Sequence, residues 1–302
     1  MKIETILFDL DETLIEEEAS NDASALAACA IAHRRHGVDV NLMLKALRAR
    51  SLELWRLGPA LQYCRDIGIS SREGLWGAFT GEEPNLGILR EWIPSYRNDA
   101  WTRALADVGI EDPAMAREMG DFFHADRSQR HVVFPESRGI LELFRSRVKL
   151  GMITNGASDI QRAKIDGSGL AGYFDAILVS GEEGFGKPKP EIFRRTIDRL
   201  GVDEATTVMI GDSLARDVAG AAGVGIKSVW VNRMGLKVTD RFPTPDAELR
   251  NLTGLPELLE TILRPATLLQ RATVFHHRDN LPNDHDSQRV MRLSMLTRAL
   301  NP

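Results

Sequence analysis

The sequence predicts an α/β fold with a parallel sheet, helices on both of its faces and an inserted all-helical domain. A short apolar segment at residues 3–10, IETILFDL, is followed by the acidic residues Asp11 and Glu12, has Asp9 near its end and is typical of a buried strand. Residues 16 to about 135 show helical periodicity and no convincing strand pattern. From Val148 onward, short apolar runs alternate with helical ones, which favours a three-layer α/β/α core.

The elements follow from these patterns in chain order. In the insert, helical periods cover DASALAACAIAHRRH, NLMLKALRARSLELWRLG and PAMAREMGDFFHADRSQR. Asn41 is predicted to cap one helix, and Asp112 followed by Pro113 to begin another. After the insert, strands are predicted at VKLGMIT, DAILVSG, TTVMIGD and IKSVWV, separated by the helices ASDIQRAKI, KPEIFRRTIDRL and LARDVAGAAGV.

This pattern divides the chain into three parts. Residues 1–15 and 136–263 form the predicted α/β core, and residues 16–135 form the helical insert. The insert holds Trp55, Trp76, Trp92 and Trp101, which either fill a helical core or clamp a substrate; core filling is the commoner role. Residues 264–302 are predicted to be a flexible or weakly helical extension. Its His276, His277 and His285 show no spacing that fixes a metal site.

Composition restricts the function classes. The chain has 302 residues and a net charge of -5, so it offers no electrostatic case for binding nucleic acid or a membrane. Its cysteines, Cys29 and Cys64, suggest no disulfide framework. Because no apolar run approaches 18 residues and the N-terminus carries several acids, we expect a soluble cytoplasmic protein.

Residues that carry chemistry follow the end of each predicted core strand. In open parallel sheets, ligands bind beyond the carboxyl ends of the strands. The residues found there, in chain order, are Asp9, Asp11 and Thr13, then Thr154 and Asn155, then Lys187, and finally Asp212, with Asp217 on the following turn. One edge of the sheet is therefore predicted to gather carboxylates, hydroxyls and a lysine.

This set of groups suits phosphoryl transfer. Clustered carboxylates repel one another unless a hard cation joins them, and oxygen ligands favour Mg²⁺. A lysine and a threonine hydroxyl beside that cation are suitable donors to a phosphoryl group. One aspartate can attack phosphorus, and a second can protonate the leaving oxygen and later activate water.

The segments FDLDETL, ITNG, GKPKPEIF and GDSLARD resemble, in order, the four motifs of the haloacid dehalogenase superfamily. The resemblance covers about residues 3–263 and implies a Rossmann-like core with an α-helical cap. It implies that Asp9 is the nucleophile and Asp11 the general acid/base. It also implies that phosphate is bound by Thr154, Asn155 and Lys187. Mg²⁺ would be bound by Asp9, the Asp11 main-chain carbonyl and Asp212. Asp217 would have a supporting role, with the alternative that it is an acid on the surface of a helix.

The same resemblance implies the type of reaction. Dehalogenases of the superfamily lack the second aspartate, so the presence of Asp11 favours phosphate ester hydrolysis. A phosphomutase, a 2-haloacid dehalogenase and a non-catalytic phosphate-binding module remain as alternatives. ITNGASDIQRAKI and VWVNRMG look most like the N-acylneuraminate-9-phosphatase-like and nucleotidase-like members. We expect a small phosphorylated metabolite as substrate, and a monomer or homodimer.

Overall fold

The sheet is built from short apolar strands that run parallel to one another. The computed structural model describes residues 3–263, and their six strands have the spatial order β3-β2-β1-β4-β5-β6. Every neighbouring pair is parallel. The strands are β1 (Thr5–Phe8), β2 (Lys149–Thr154), β3 (Ala176–Val179), β4 (Thr207–Gly211), β5 (Lys227–Val231) and β6 (Ala247–Leu249). The predicted α/β fold with a parallel sheet is therefore confirmed.

Helices separate β1 from β2 and cover the sheet. Between those strands lie α1 (Glu17–His36), α2 (Val40–Trp55), α3 (Leu61–Ile67), α4 (Ser71–Gly74), α5 (Pro84–Asp107), α6 (Pro113–Arg127) and α7 (Ser137–Arg145). The others are α8 (Ser158–Ser168), α9 (Ser180–Glu183), α10 (Pro190–Leu200), α11 (Ala219–Ala222) and α12 (Leu255–Leu263). Single turns of other helical types lie at Ala171–Tyr173, Glu204–Thr206, Leu214–Val218 and Leu252–Gly254.

Apolar side chains on the two faces of the sheet form two separate clusters. On one face Ile6 and Phe8 pack with residues of α7 and α12. On the other face Leu7 packs with residues of α10 such as Phe193. All four residues of β1 are buried, as expected for a strand with helices on both sides of its sheet, because successive side chains point to opposite faces.

The helices of the insert have an apolar core of their own. Trp55, Trp76 and Trp101 are buried in it, as core filling predicts. Asp112 caps α6 with Pro113 at its first turn, as predicted. The cap prediction for α2 is wrong: Asp39, and not Asn41, accepts hydrogen bonds from the first main-chain N–H groups, because it precedes the first helical turn. The domain boundaries stay a prediction.

The insert lies against the core through α8. Ala157, which directly precedes α8, and Ile160 of α8 belong to the apolar cluster of the insert. The Asp159 carboxylate accepts hydrogen bonds from the main-chain N–H groups of Ala78 (2.9 Å) and Phe79 (2.7 Å). The insert therefore covers the helix that begins at the carboxyl end of β2.

The predicted C-terminal extension with its three histidines lies outside the described residues. No helix within residues 3–263 is long and apolar enough to cross a membrane.

Candidate active site

The carboxyl ends of β1 and β4 place three carboxylates around one buried lysine. The Lys187 Nζ lies 2.7 Å from Asp9 Oδ1 and 2.7 Å from Asp217 Oδ1. One carboxylate oxygen from each of Asp9, Asp212 and Asp217 lies within 4.8 Å of the others. The structure thus brings together four residues that the sequence placed beyond three different strands.

The main chain of Lys187 is held by the segment that follows β2. The Asn155 side chain accepts a hydrogen bond from Lys187 N (2.9 Å) and donates one to Lys187 O (2.8 Å). A Cβ at Gly186 would lie 2.7 Å from Asn155 Oδ1, so a glycine is required for this close approach. In the structure, the amide of Asn155 therefore positions Lys187.

Asp217 is a buried residue of the site. Its side chain is 1% exposed, which excludes the alternative of a helix-surface acid. It lies on the turn Leu214–Val218 that follows β4, and its Oδ2 accepts a hydrogen bond from Ser213 N (2.9 Å). A Cβ at Gly211 would lie 2.3 Å from the Asp217 carboxyl group, so only glycine leaves room for it.

The electrostatics of this cluster are those of crowded buried acids. Burial raises the pKa of Asp9 to about 6, with smaller contributions from the charges of Asp217 and Asp11, although the charge of Lys187 acts in the opposite direction. Burial and the charges of Asp9 and Asp217 raise the pKa of Asp212 to about 9. Burial alone would lower the pKa of Lys187, but Asp217 and Asp9 outweigh it and the pKa is raised.

The donor set fits a hard divalent cation. Three carboxylates that are crowded within 4.8 Å repel one another, and Lys187 supplies a single positive charge beside two of them. The raised pKa values of Asp9 and Asp212 show the unfavourable energy that a cation would remove. Both oxygens of Asp217 have partners, Oδ1 the Lys187 ammonium group and Oδ2 the main-chain N–H of Ser213, whereas Lys187 contacts only Oδ1 of Asp9. Asp9 and Asp212 are therefore the carboxylates best able to bind a metal ion.

The turn after β1 directs Asp11 away from this cluster. Glu12 adopts a left-handed backbone conformation with φ 58°, which is uncommon for a residue other than glycine. Arg233 fixes the turn by donating hydrogen bonds to the main-chain oxygens of Glu12 (3.0 Å) and Thr13 (2.9 Å). The side chain of Thr13 is buried. The turn therefore has a defined shape, and the Asp11 side chain leaves it toward α8.

Two residues of α8 contact Asp11 and Thr154. Gln161 Nε2 donates to Asp11 Oδ2 (3.1 Å) and to Thr154 Oγ1 (2.5 Å). Lys164 Nζ donates to the same Asp11 oxygen at 3.0 Å. Neither residue is among the site residues predicted from the sequence. The signal was available, because a glutamine and a lysine three residues apart occupy the same face of α8 as the buried Ile160 and Ile165.

Comparison with known proteins identifies the family of the chain. A family model for haloacid dehalogenase-like hydrolases matches residues 3–225. The chain belongs to this hydrolase family. The family resemblance predicted from the four motifs is therefore confirmed.

Curated relatives of the chain include named phosphatases. Phosphoserine phosphatase from Thermus thermophilus is 34% identical over 248 residues, which cover 82% of this chain and 95% of that protein. N-acylneuraminate-9-phosphatase from Mus musculus is 32% identical over 173 residues, which cover 56% of this chain and 70% of that protein. The similarity to the first of these extends over most of both chains.

Among solved structures, the HAD-hydrolase YfnB from Bacillus subtilis has a TM-score of 0.59 with 22% identity. The match covers 86% of this chain and 99% of that chain. At this identity, the similarity supports the shared fold.

Proposed function

We propose that this protein is a Mg²⁺-dependent phosphatase that hydrolyses a small phosphorylated metabolite through an acyl phosphate on Asp9. The observation that carries the proposal is the pair of aspartates at the end of β1, of which only the first contacts Lys187. The two carboxylates thus have separate environments and are suited to separate tasks. The similarity to named phosphatases supports the proposal that the chain hydrolyses a phosphate ester.

Asp9 is the nucleophile in this proposal. Its Oδ1 is paired with Lys187 at 2.7 Å, and this contact favours the ionised carboxylate that attack requires. The other oxygen attacks phosphorus, the bond from phosphorus to the leaving oxygen breaks, and an acyl phosphate forms on Asp9. Lys187 stays beside the carboxylate and neutralises charge that develops on the phosphoryl oxygens.

Asp11 is the general acid and base. It donates a proton to the leaving oxygen in the first step and takes a proton from water in the second, when the acyl phosphate is hydrolysed. Thr154 Oγ1 accepts a hydrogen bond from Gln161, so its own proton remains available for a phosphoryl oxygen. Asn155 acts by holding the main chain of Lys187.

A divalent cation is proposed to bind Asp9, Asp212 and the main-chain oxygen of Asp11. When bound, it would neutralise the crowded carboxylates and the incoming phosphoryl group. Asp217 would support Lys187 through their 2.7 Å contact. The helical insert is proposed to act as a cap that selects the substrate. Cytoplasmic location and a monomeric or dimeric state stay predictions.

The test is release of inorganic phosphate from a panel of phosphorylated amino acids, sugars, sugar acids and nucleotides, with Mg²⁺ and after chelation. We expect Mg²⁺-dependent release with a preference for one class. A phosphomutase would instead transfer phosphate between positions of a sugar and need a bisphosphate activator. Chloride release from a 2-chloro acid, or no product from any compound, would contradict the proposal.

A further inference from the structure

A buried ion cluster joins α8 to the helical insert. Lys164 is 0% exposed, and its Nζ lies 3.0 Å from Asp11 Oδ2, 2.9 Å from Glu73 Oε1 and 3.4 Å from Glu17 Oε1. Arg127, which is also 0% exposed, forms an ion pair with Glu17. Three carboxylates, with Asp11 among them, and two cations thus form one cluster that connects the insert to the end of β1.

The two oxygens of Asp11 differ in their surroundings. Oδ2 accepts hydrogen bonds from Lys164 Nζ (3.0 Å) and Gln161 Nε2 (3.1 Å). Oδ1 is buried and has no hydrogen-bond partner in the structure. A buried oxygen without a partner is costly in a folded protein, and such an atom calls for an explanation. Transfer of a proton to and from the reactants provides one.

We propose that Lys164 is a positioning residue that holds Asp11 by Oδ2 and leaves Oδ1 as the oxygen that transfers the proton. The inference rests on the proposed role of Asp11 as general acid and base. A side chain held by two donors loses little freedom when the reactants bind, and an error of about 1 Å in such placement can cost about a hundredfold in rate.

The groups around position 164 explain why a lysine is suited to hold Asp11. Glu73 and Glu17 both belong to the insert, and their charges compensate the burial of the ammonium group. The ammonium group has three protons in tetrahedral directions, so it can bind Asp11 and Glu73 at the same time. Lys164 therefore connects the insert to the carboxylate that acts on the leaving group.

The test compares Lys164→Met with Glu73→Gln in rapid-quench kinetics on nitrophenyl phosphate. Nitrophenol leaves without a proton donor, so Lys164→Met should still release about one nitrophenol per site in a burst. Hydrolysis of the acyl phosphate, which needs the base, should slow by about tenfold to a hundredfold. kcat/KM should change by less than about threefold, because it reports binding and the first step, and KM should fall together with kcat once hydrolysis of the acyl phosphate limits turnover.

Glu73→Gln is the matched control. It removes one negative charge from the same cluster and keeps the contact of Lys164 with Asp11. The glutamine side chain can still accept the hydrogen bond from Ser70 N that belongs to the capping box of α4. Its second step should stay within about threefold of the unmodified protein. If Lys164→Met does not fold, combining it with Glu73→Gln removes one of the carboxylates that lose their partner, while Glu17 keeps its ion pair with Arg127, and the same measurement is made on the double variant.

Four results separate the inference from the function on which it rests. A lower rate in both steps alike, or a rise in KM with an unchanged second step, would overturn the positioning role. Normal kinetics of Lys164→Met beside a burst from Asp11→Asn would overturn it as well, with the phosphatase mechanism intact. No phosphate release from the unmodified protein with any substrate would overturn both.

Discussion

Replacing Lys187 with methionine removes the cation that lies between Asp9 and Asp217. Both carboxylates lie 2.7 Å from Nζ, and the lysine side chain is 2% exposed. At an effective dielectric constant of about 20, a unit charge pair at this distance interacts by roughly 6 kcal/mol, before desolvation is subtracted. Loss of one partner from a buried ion pair usually costs about 3–5 kcal/mol, because the other charge stays buried.

The effect on catalysis follows from the same contacts. Without Lys187 the pKa of Asp9 rises further, because this lysine opposes the effect of burial. A protonated Asp9 cannot attack phosphorus, and the phosphoryl oxygens lose a preorganised charge. We expect kcat/KM for nitrophenyl phosphate to fall about a hundredfold or more.

Lys189 provides a control within the same sequence motif. It is exposed, and it precedes α10, whereas Lys187 is buried. Lys189→Met should keep turnover within about twofold, as expected for a surface substitution. Steady-state phosphate release and circular dichroism of both variants provide the comparison. Equal turnover of a folded Lys187→Met and the unmodified protein would refute the assignment of this lysine.

Three further predictions concern the metal and the packing around the carboxylates. Because the folded-state pKa values of Asp9 (about 6) and Asp212 (about 9) are raised, the metal-free protein should lose stability as pH rises above about 4. Thermal shifts on adding Mg²⁺ should therefore be larger at about pH 8 than at about pH 5, and an equal shift at both would contradict this. Ca²⁺ should inhibit phosphate release, because its looser coordination allows it to bind both Asp9 oxygens; full turnover with Ca²⁺ alone would disprove this. Gly211→Ala should reduce turnover at least about tenfold and lower the free energy of unfolding by about 1–3 kcal/mol, because a Cβ would lie 2.3 Å from Asp217. Gly139→Ala is the control: no atom lies near its Cβ position, so its activity and its urea unfolding should be nearly unchanged.

The sequence predicted the sheet and the strand-end residues because both depend on local patterns. Apolar runs such as residues 5–8 mark buried strands, and parallel strands bring their carboxyl ends to one edge. Asp9 and Lys187 are 178 positions apart in the chain, but each follows a strand that the pattern reveals. The topology of a parallel sheet was sufficient to place them at the same edge.

The remaining contacts depend on tertiary packing that local patterns do not contain. The contact between Glu73 and Lys164 joins two helices whose relative placement is set by the apolar core of the insert. The three-residue strand β6 carries too short a pattern to be recognised. Asp39 caps α2 in place of Asn41, because the exact beginning of a helix depends on backbone geometry.

The most direct test of the central claim is to locate the phosphoryl group on the chain. With Asp11→Asn, the first step on nitrophenyl phosphate should proceed while hydrolysis of the acyl phosphate stalls. Intact-protein mass measurement after rapid quench should then show one added phosphoryl group, and peptide mapping should assign it to Asp9. Asp9→Asn should show none and release no phosphate. A phosphoryl group on another residue, or steady phosphate release by Asp9→Asn, would contradict the account.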